Sequence, residues 1–399
     1  MSLRELPPDQ EVHRTRSIWS RLFYVPLIIL VVLSTGAAAT GFYVDRKLEN
    51  ASPFPADAAP IATDAAGAGE LGSACTLPVT PPAQEPWLDG DAEAAESVWD
   101  AHAADLANDY VLGEDGFVFW NDIQAMNFSQ AVGRRALSVD EVTAWHDYLA
   151  EMRDTAEAAG IPFYIVIAPA KWAIYDEKLP AWAQDIRGSG PLDQLLPAST
   201  DLPIIDVRAA LDDESAENPV YSRVNSHWTD YGGYVAWKTI SECMSAGSPE
   251  LGEMSALPID GVNTVDDFNE FAGYGLSSPV PDWTTPDYTD PLQPVSVTGA
   301  DGAVTVVAGE KGTDLSLLPV STTTDGAQND SSALILRDSQ GNALSVPWQQ
   351  TFSRTWQVRH NFDLPSELPD LGALIDEHHP DVVILEVAQR HLNFPPPTE

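Results

Sequence analysis

Apolar residues in this chain gather into short unbroken runs separated by stretches of helical spacing. Phe163-Tyr164-Ile165-Val166-Ile167-Ala168 has no polar member, as expected of a strand buried on both faces. Leu202-Pro203-Ile204-Ile205-Asp206-Val207, Ala333-Leu334-Ile335-Leu336 and Val382-Val383-Ile384-Leu385-Glu386-Val387 repeat the pattern. Ahead of the first run, Ser138-Val139-Asp140-Glu141 has the form of a capping box and predicts a helix reaching about Ala159, closed by Gly160 and Pro162. Glu93 to Leu106 also reads as helical, and Phe117-Val118-Phe119-Trp120 follows a Gly-Glu-Asp-Gly turn. Buried strands alternating with helices predict an α/β domain with a mostly parallel sheet, whose ligands gather at the carboxyl ends of the strands. Residues 260–326 break the pattern: Thr, Val, Asp, Pro and Gly dominate, with Ala303–Ala308 as one candidate strand, and the stretch reads as an irregular insertion.

The longest apolar run lies elsewhere. Leu22 to Val44 carries no charge, and a helix rising ~1.5 Å per residue over that length crosses a hydrocarbon core of ~30 Å. Arg14, Arg16 and Arg21 precede it, so the positive-inside rule keeps residues 1–21 cytoplasmic and sends the remainder outside the cell membrane. The alternative, a cleaved signal peptide ending near Ala37-Ala38-Ala39, calls for a shorter apolar stretch. Residues 45–87 are rich in Ala, Pro, Gly and Asp and read as an extracytoplasmic tether, leaving 88–399 as the folded domain.

Charge narrows the function. With 20 Lys+Arg against 60 Asp+Glu the formal net charge is -40, a field that repels phosphate backbones and excludes nucleic acid as a partner. The two cysteines, Cys75 and Cys243, both fall on the outer side; there they either pair, tying tether to domain, or stay as free thiols. Their surroundings lack metal-ligand spacing, and His378-His379 reads as a solvated helix end, so no metal is expected.

Two distant segments supply the chemistry. The run Leu334-Ile335-Leu336-Arg337 stops at Asp338-Ser339-Gln340-Gly341, which places Ser339 on a strand-to-helix turn. There its hydroxyl is lifted off the sheet edge, beside backbone N–H groups suited to an oxyanion. Asn225-Ser226-His227-Trp228-Thr229 supplies a base, His227, and two residues earlier an oxygen, on Asn225, that can orient it. Lys171, in the loop after a predicted strand, is a candidate for glycan contact, a structural ion pair or a solvated surface position, and Trp172, Trp228 and Trp283 for sugar stacking or for the core.

Four blocks in order resemble the AlgX/AlgJ-like group of SGNH-type polysaccharide O-acetyltransferases: Gly113-Glu114-Asp115-Gly116-Phe117-Val118-Phe119, Ile167-Ala168-Pro169-Ala170-Lys171-Trp172-Ala173-Ile174-Tyr175, Asn225 to Gly233, and Arg337-Asp338-Ser339. The resemblance covers roughly residues 105–392 and implies an SGNH-hydrolase-like three-layer α/β/α fold. It implies a membrane-anchored extracytoplasmic enzyme, without cofactor, that takes acetyl groups through a membrane-bound O-acyltransferase and passes them to a polysaccharide. It assigns Ser339 as nucleophile and His227 as general base. Lys171, Trp228 and Arg337, which fall in or beside these blocks, are expected to bind substrate. Asn225 falls where the family has aspartate, and Gln340 where an aromatic residue is usual. Replacing the aspartate of a serine protease by asparagine lowers kcat about 10⁴-fold, so the change bears directly on activity; Asp230 or Asp338 are candidates to compensate. Two other readings share the residues: a carbohydrate acetylesterase, in which water ends the reaction, and a non-catalytic glycan-binding or assembly protein. The acidic balance favours a neutral or cationic glycan over a uronate polymer.

Overall fold

The computed structural model describes residues 55, 57–61, 75, 85–88, 92–252, 254–265 and 268–397. The expected cytoplasmic tail and the apolar run 22–44 lie outside them, and among the described residues no helix is long and apolar enough to cross a membrane.

Twelve strands follow in chain order: β1 (Tyr110–Leu112), β2 (Val118–Trp120), β3 (Phe163–Ala168), β4 (Ile204–Ile205), β5 (Ile259–Val265), β6 (Trp283–Tyr288), β7 (Val295–Thr298), β8 (Val304–Val307), β9 (Val320–Thr324), β10 (Asn329–Arg337), β11 (Phe352–Arg359) and β12 (Val382–Ala388). Eight of them form one sheet in the order β4-β3-β12-β10-β11-β9-β7-β8. The first five run parallel, as expected, but β9, β7 and β8 join antiparallel. The sheet is therefore mixed, which corrects the mostly parallel expectation. The misread part is the stretch taken as an irregular insertion: β5 and β6 make a hairpin of their own, and β7 and β8 extend the main sheet. β8 falls within the expected strand Ala303–Ala308; β7 and β9 are rich in Thr and Ser and only partly buried, so they lack the continuous apolar signature of the parallel core. For the same reason β11, whose burial alternates along Phe352–Arg359, gives only a weak signal.

Side chains alternate across the parallel strands and so build two cores, giving three layers. On one face Tyr164, Val166, Ile335 and Ile384 pack with Val235, Ala236, Ile240 and Met244 of the helix Asp230–Gly247. On the other, Ile165, Ile167, Leu334, Leu336 and Leu385 pack with Val142, Trp145, Leu149 and Met152 of the helix Val139–Ala158. That second helix starts at the expected capping box: Glu141 N donates to Ser138 Oγ at 3.1 Å and Ser138 N to Glu141 Oε2 at 2.8 Å.

The stretch read as a tether holds described residues that lie against the domain. Ala59 is buried in the second core, and the Trp87 indole donates to Val132 O at 2.8 Å and Ile186 O at 2.7 Å. Cys75 and Cys243 are joined, with Cα atoms 5.8 Å apart, which fastens this segment to the helix Asp230–Gly247.

Candidate active site

β10 ends at Arg337, at the carboxyl edge of the sheet, and Ser339 opens the turn that leads through the 3-10 helix Gln340–Asn342 into the helix Ser345–Thr351. The turn is held from behind. Asp338 Oδ1 accepts from Gln340 N at 2.8 Å, and its Oδ2 accepts from Ala388 N at 2.7 Å and His360 Nε2 at 3.2 Å, while His391 Nδ1 approaches to 3.1 Å. Burial alone would raise the Asp338 carboxyl, but the two histidines outweigh it and hold the group well below the usual carboxylate range. Beside it, burial and the Asp338 charge keep Glu386 protonated far above its ordinary value, and its Oε2 accepts from Asp338 N at 3.1 Å. Asp338 is thus a framework group under Ser339.

Asp338, His360 and His391 also form a group whose ligand atoms lie within 4.8 Å of one another, the spacing a metal ion asks for. The hydrogen bonds argue against that use. Phe362 N donates to His360 Nδ1 at 3.1 Å, so the ring proton sits on Nε2, the nitrogen that a metal would need bare.

His227 arrives from the loop before the helix Asp230–Gly247. His227 Nε2 lies 2.8 Å from Ser339 Oγ, and His227 Nδ1 lies 3.0 Å from Asn225 Oδ1. Asn225 donates through Nδ2 to Phe268 O, which turns Oδ1 toward the ring, where it also accepts from His227 N at 2.9 Å. An amide oxygen only accepts, so Nδ1 carries the proton and Nε2 is free to take one from the serine. The i, i+2 relation works through this Asx-type turn, in which the side chain folds back onto the chain. Burial lowers the His227 pKa, partly opposed by Glu270, so the ring is neutral at neutral pH.

Gln340 joins the two segments, accepting from Trp228 N at 3.3 Å and donating to Ser226 O at 3.2 Å, while the Trp228 indole donates to Gln340 O at 2.7 Å. A residue out of pattern in the sequence is thus the clasp between the histidine loop and the serine turn.

The three expected substrate-binding side chains stand beneath the site. Trp228 is 1% exposed, Lys171 3% and Arg337 0%; Lys171 and Arg337 are closed off within the protein, and Trp228 borders the groove. Lys171 donates to Val118 O at 2.6 Å, Arg223 O at 2.9 Å and Ser222 O at 3.3 Å, pinning the loop that leads to His227. Arg337 donates to Gln357, Asn342 and the carbonyls of Asp338 and Thr313, and fixes the serine turn. Both cations satisfy carbonyls that burial would otherwise strand. Trp172 is buried with its indole on Asn127 Oδ1. Asp230 accepts from the Trp283 indole at 3.2 Å, and neither it nor Asp338 contacts His227 as a compensating carboxylate.

Above Ser339 and His227 opens a groove of about 1080 Å³. Phe268, Trp283 and Tyr288 line part of it, and Phe268 is 62% exposed. Asp230, Asp287, Asp290, Glu310 and Asp314 also line it, against Lys311 alone among cations.

Sequence reasoning missed one charged neighbour. Glu270 Oε1 lies 3.5 Å from His227 Nδ1, and its other oxygen accepts from Ser226 N at 2.6 Å. It comes from the stretch read as irregular; the available signal was an acid placed between Phe268 and Phe271.

Residues 111–302 match the family described as SGNH hydrolase-like domain, acetyltransferase AlgX. The chain is 27% identical over 176 residues to the probable alginate O-acetylase AlgJ of Pseudomonas putida, covering 42% of this chain and 43% of that relative's length. The match therefore spans less than half of the relative. Among solved structures, PatB1 of Bacillus cereus has the same fold, with a TM-score of 0.52 at 17% identity over 71% of this chain and 97% of that one. The O-acetyltransferase domain of Pseudomonas putida AlgJ aligns with a TM-score of 0.43 at 18% identity, covering 71% of this chain and 92% of that one.

Proposed function

From the premise that residues 111–302 form an SGNH hydrolase-like domain of the AlgX/AlgJ-like O-acetyltransferase family, we propose that this protein acetylates a polysaccharide outside the cytoplasm through a serine acyl-enzyme. The observation that carries the reading is the unbroken chain Asn225 Oδ1, His227, Ser339 Oγ, with a neutral imidazole 2.8 Å from the hydroxyl at the floor of a large groove. Ser339 Oγ attacks the acetyl carbonyl while His227 Nε2 takes its proton. The tetrahedral oxyanion is held by backbone amide at the turn; since Gln340 N is already bound to Asp338, the donor assigned is the Ser339 amide. The leaving group receives the proton from His227. A sugar hydroxyl then attacks the acetyl-enzyme, His227 takes that proton in turn, and Ser339 is released with its own proton restored.

The same reading has the protein anchored by Leu22–Val44, with acetyl groups supplied through a membrane-bound O-acyltransferase. Its acceptor is a neutral or cationic glycan, because five carboxylates and one lysine line the groove and a uronate chain would meet like charge along its length. The exposed ring of Phe268, with Trp283 beside it at 4.8 Å, is the surface on which a sugar would stack.

The test is intact-mass analysis of the full chain in detergent after brief exposure to an activated acetyl ester. One acetyl adduct is expected, absent in Ser339→Ala and formed about 10² to 10⁴-fold more slowly in His227→Ala. Added oligosaccharide should discharge the adduct faster than water does; discharge indifferent to any glycan would point to an esterase, and an adduct that persists in Ser339→Ala would sink the serine reading.

A further inference from the structure

Asn225 orients His227 but carries no charge, so the imidazolium that forms when Ser339 gives up its proton has no counter-ion in the segment that holds it. The structure brings one from a distant segment that Asn225 binds at the same time: Asn225 donates to Phe268 O, 43 residues along the chain, and Glu270 follows two residues later. Glu270 is held where it stands. Its N–H donates to Val224 O at 3.0 Å; its Oε2 accepts from Ser226 N at 2.6 Å and the Trp120 indole at 3.3 Å; its Oε1 accepts from Ser226 Oγ at 3.1 Å and faces His227 Nδ1 at 3.5 Å. Phe271, fully buried against Trp120 with ring centroids 4.6 Å apart, anchors the segment.

We propose that Glu270 is the positioning residue that supplies the negative charge for His227, so that Asn225 and Glu270 divide between two side chains what an aspartate does in one: Asn225 fixes the tautomer and Glu270 stabilises the imidazolium. The other charges that act on His227 are Asp338, Asp314 and Arg390. Asp338 is engaged by His360 and Ala388 N, and Asp314 by Asn342 and Ser316 N. Glu270 is the strongest of the charges that favour protonated His227. The proposal rests on the acyl-transfer reading for its kinetic consequence; its electrostatic consequence does not need turnover.

Two measurements on the full chain in detergent separate the possibilities. The first is the titration of the His227 imidazole by nitrogen-detected magnetic resonance in a Ser339→Ala background, assigned by the signal lost in His227→Asn. Glu270→Gln keeps the shape and an accepting oxygen but removes the charge, and should move the His227 midpoint down by about one pH unit; Glu270→Asp should hold it close to the parent value, and covers the case in which the glutamine variant folds poorly. The second is the acetylation rate of Ser339 across pH. At neutral pH Glu270→Gln should slow it about 10- to 100-fold, and Asn225→Asp placed in the same chain should restore both the rate and the midpoint. An unchanged His227 midpoint in Glu270→Gln, or a rate loss that Asn225→Asp fails to rescue, would overturn the assignment of charge to Glu270. Absence of any serine adduct in the parent protein would instead remove the acyl-transfer reading, and the titration would still decide the role of Glu270.

Discussion

Lys171 is a lysine placed where a lysine is costly. Burial pushes its pKa from 10.5 down to about 7, against the opposing pull of Glu270 and Asp282, and three backbone carbonyls take its protons. In the unfolded chain the same group keeps its proton up to about 10.5. Between those two values the unfolded state binds more protons, so stability rises with pH by up to about 1.4 kcal/mol per unit from this residue; below the lower value both states are protonated and the dependence vanishes. Thermal melts of the native sequence between pH 7 and 9 should climb, and the same series in Lys171→Met should climb less, from a lower starting point because the carbonyls of Val118, Ser222 and Arg223 lose their donor. Parallel slopes in the two proteins would show that Lys171 titrates outside this window. The sequence offered Lys171 as a sugar-binding candidate; its surroundings show a buried lysine that braces the loop leading to His227.

At the scale of elements, the site depends on how closely the helix Asp230–Gly247 approaches the turn after Ser339. Gly233 lies in its first turn, and a Cβ there would stand 2.6 Å from Ala343 Cβ, 2.7 Å from its O and 2.8 Å from its C. Gly232, next to it, would meet Val220 O at 2.3 Å. Backbone that cannot move aside makes this a contact only glycine permits. Gly233→Ala should destabilise the fold by about 1–3 kcal/mol and, by pushing the histidine loop from the serine turn, slow acetylation of Ser339 further than the loss of folded protein explains. Urea unfolding together with adduct formation per folded molecule checks both, and an acetylation rate equal to that of the parent would show that the approach matters to packing alone. The Gly-Gly pair was visible in the sequence; its neighbour, Ala343, more than a hundred residues on, was not.

For the molecule as a whole the formal charge is -40, and at the groove five carboxylates face one lysine; the acceptor proposed above is tested at this scale. Neutral oligosaccharides should bind at least tenfold more tightly than uronate oligosaccharides of equal length at low salt, and the gap should narrow as salt shortens the reach of the carboxylates, from a Debye length of about 30 Å at 0.01 M to about 8 Å at 0.15 M. Calorimetric titration at the two ionic strengths reads this directly, and a preference for uronates would reject the acceptor class proposed. The same scale explains why the fold tolerates so much acid: the two larger apolar cores lie one on each face of the sheet, and among the described residues only Asp206, Asp282, Asp338 and Glu386 are buried carboxylates.

The sequence by itself determined the elements whose signal is local. β3, β10, β12 and the capped helix Val139–Ala158 were legible because continuous apolar runs and cap chemistry act over a few residues. The serine turn and the histidine loop were legible as well, as separate motifs. What tertiary structure decided was every relation between distant segments: the antiparallel edge built by β7, β8 and β9, the union of Cys75 with Cys243, the burial of Lys171, Trp228 and Arg337, and the arrival of Glu270 beside His227. Half-exposed strands carry too little hydrophobic periodicity to announce themselves, and a carboxylate becomes a counter-ion only through the distance at which the fold sets it, since Coulomb energy depends on separation in space and not along the chain.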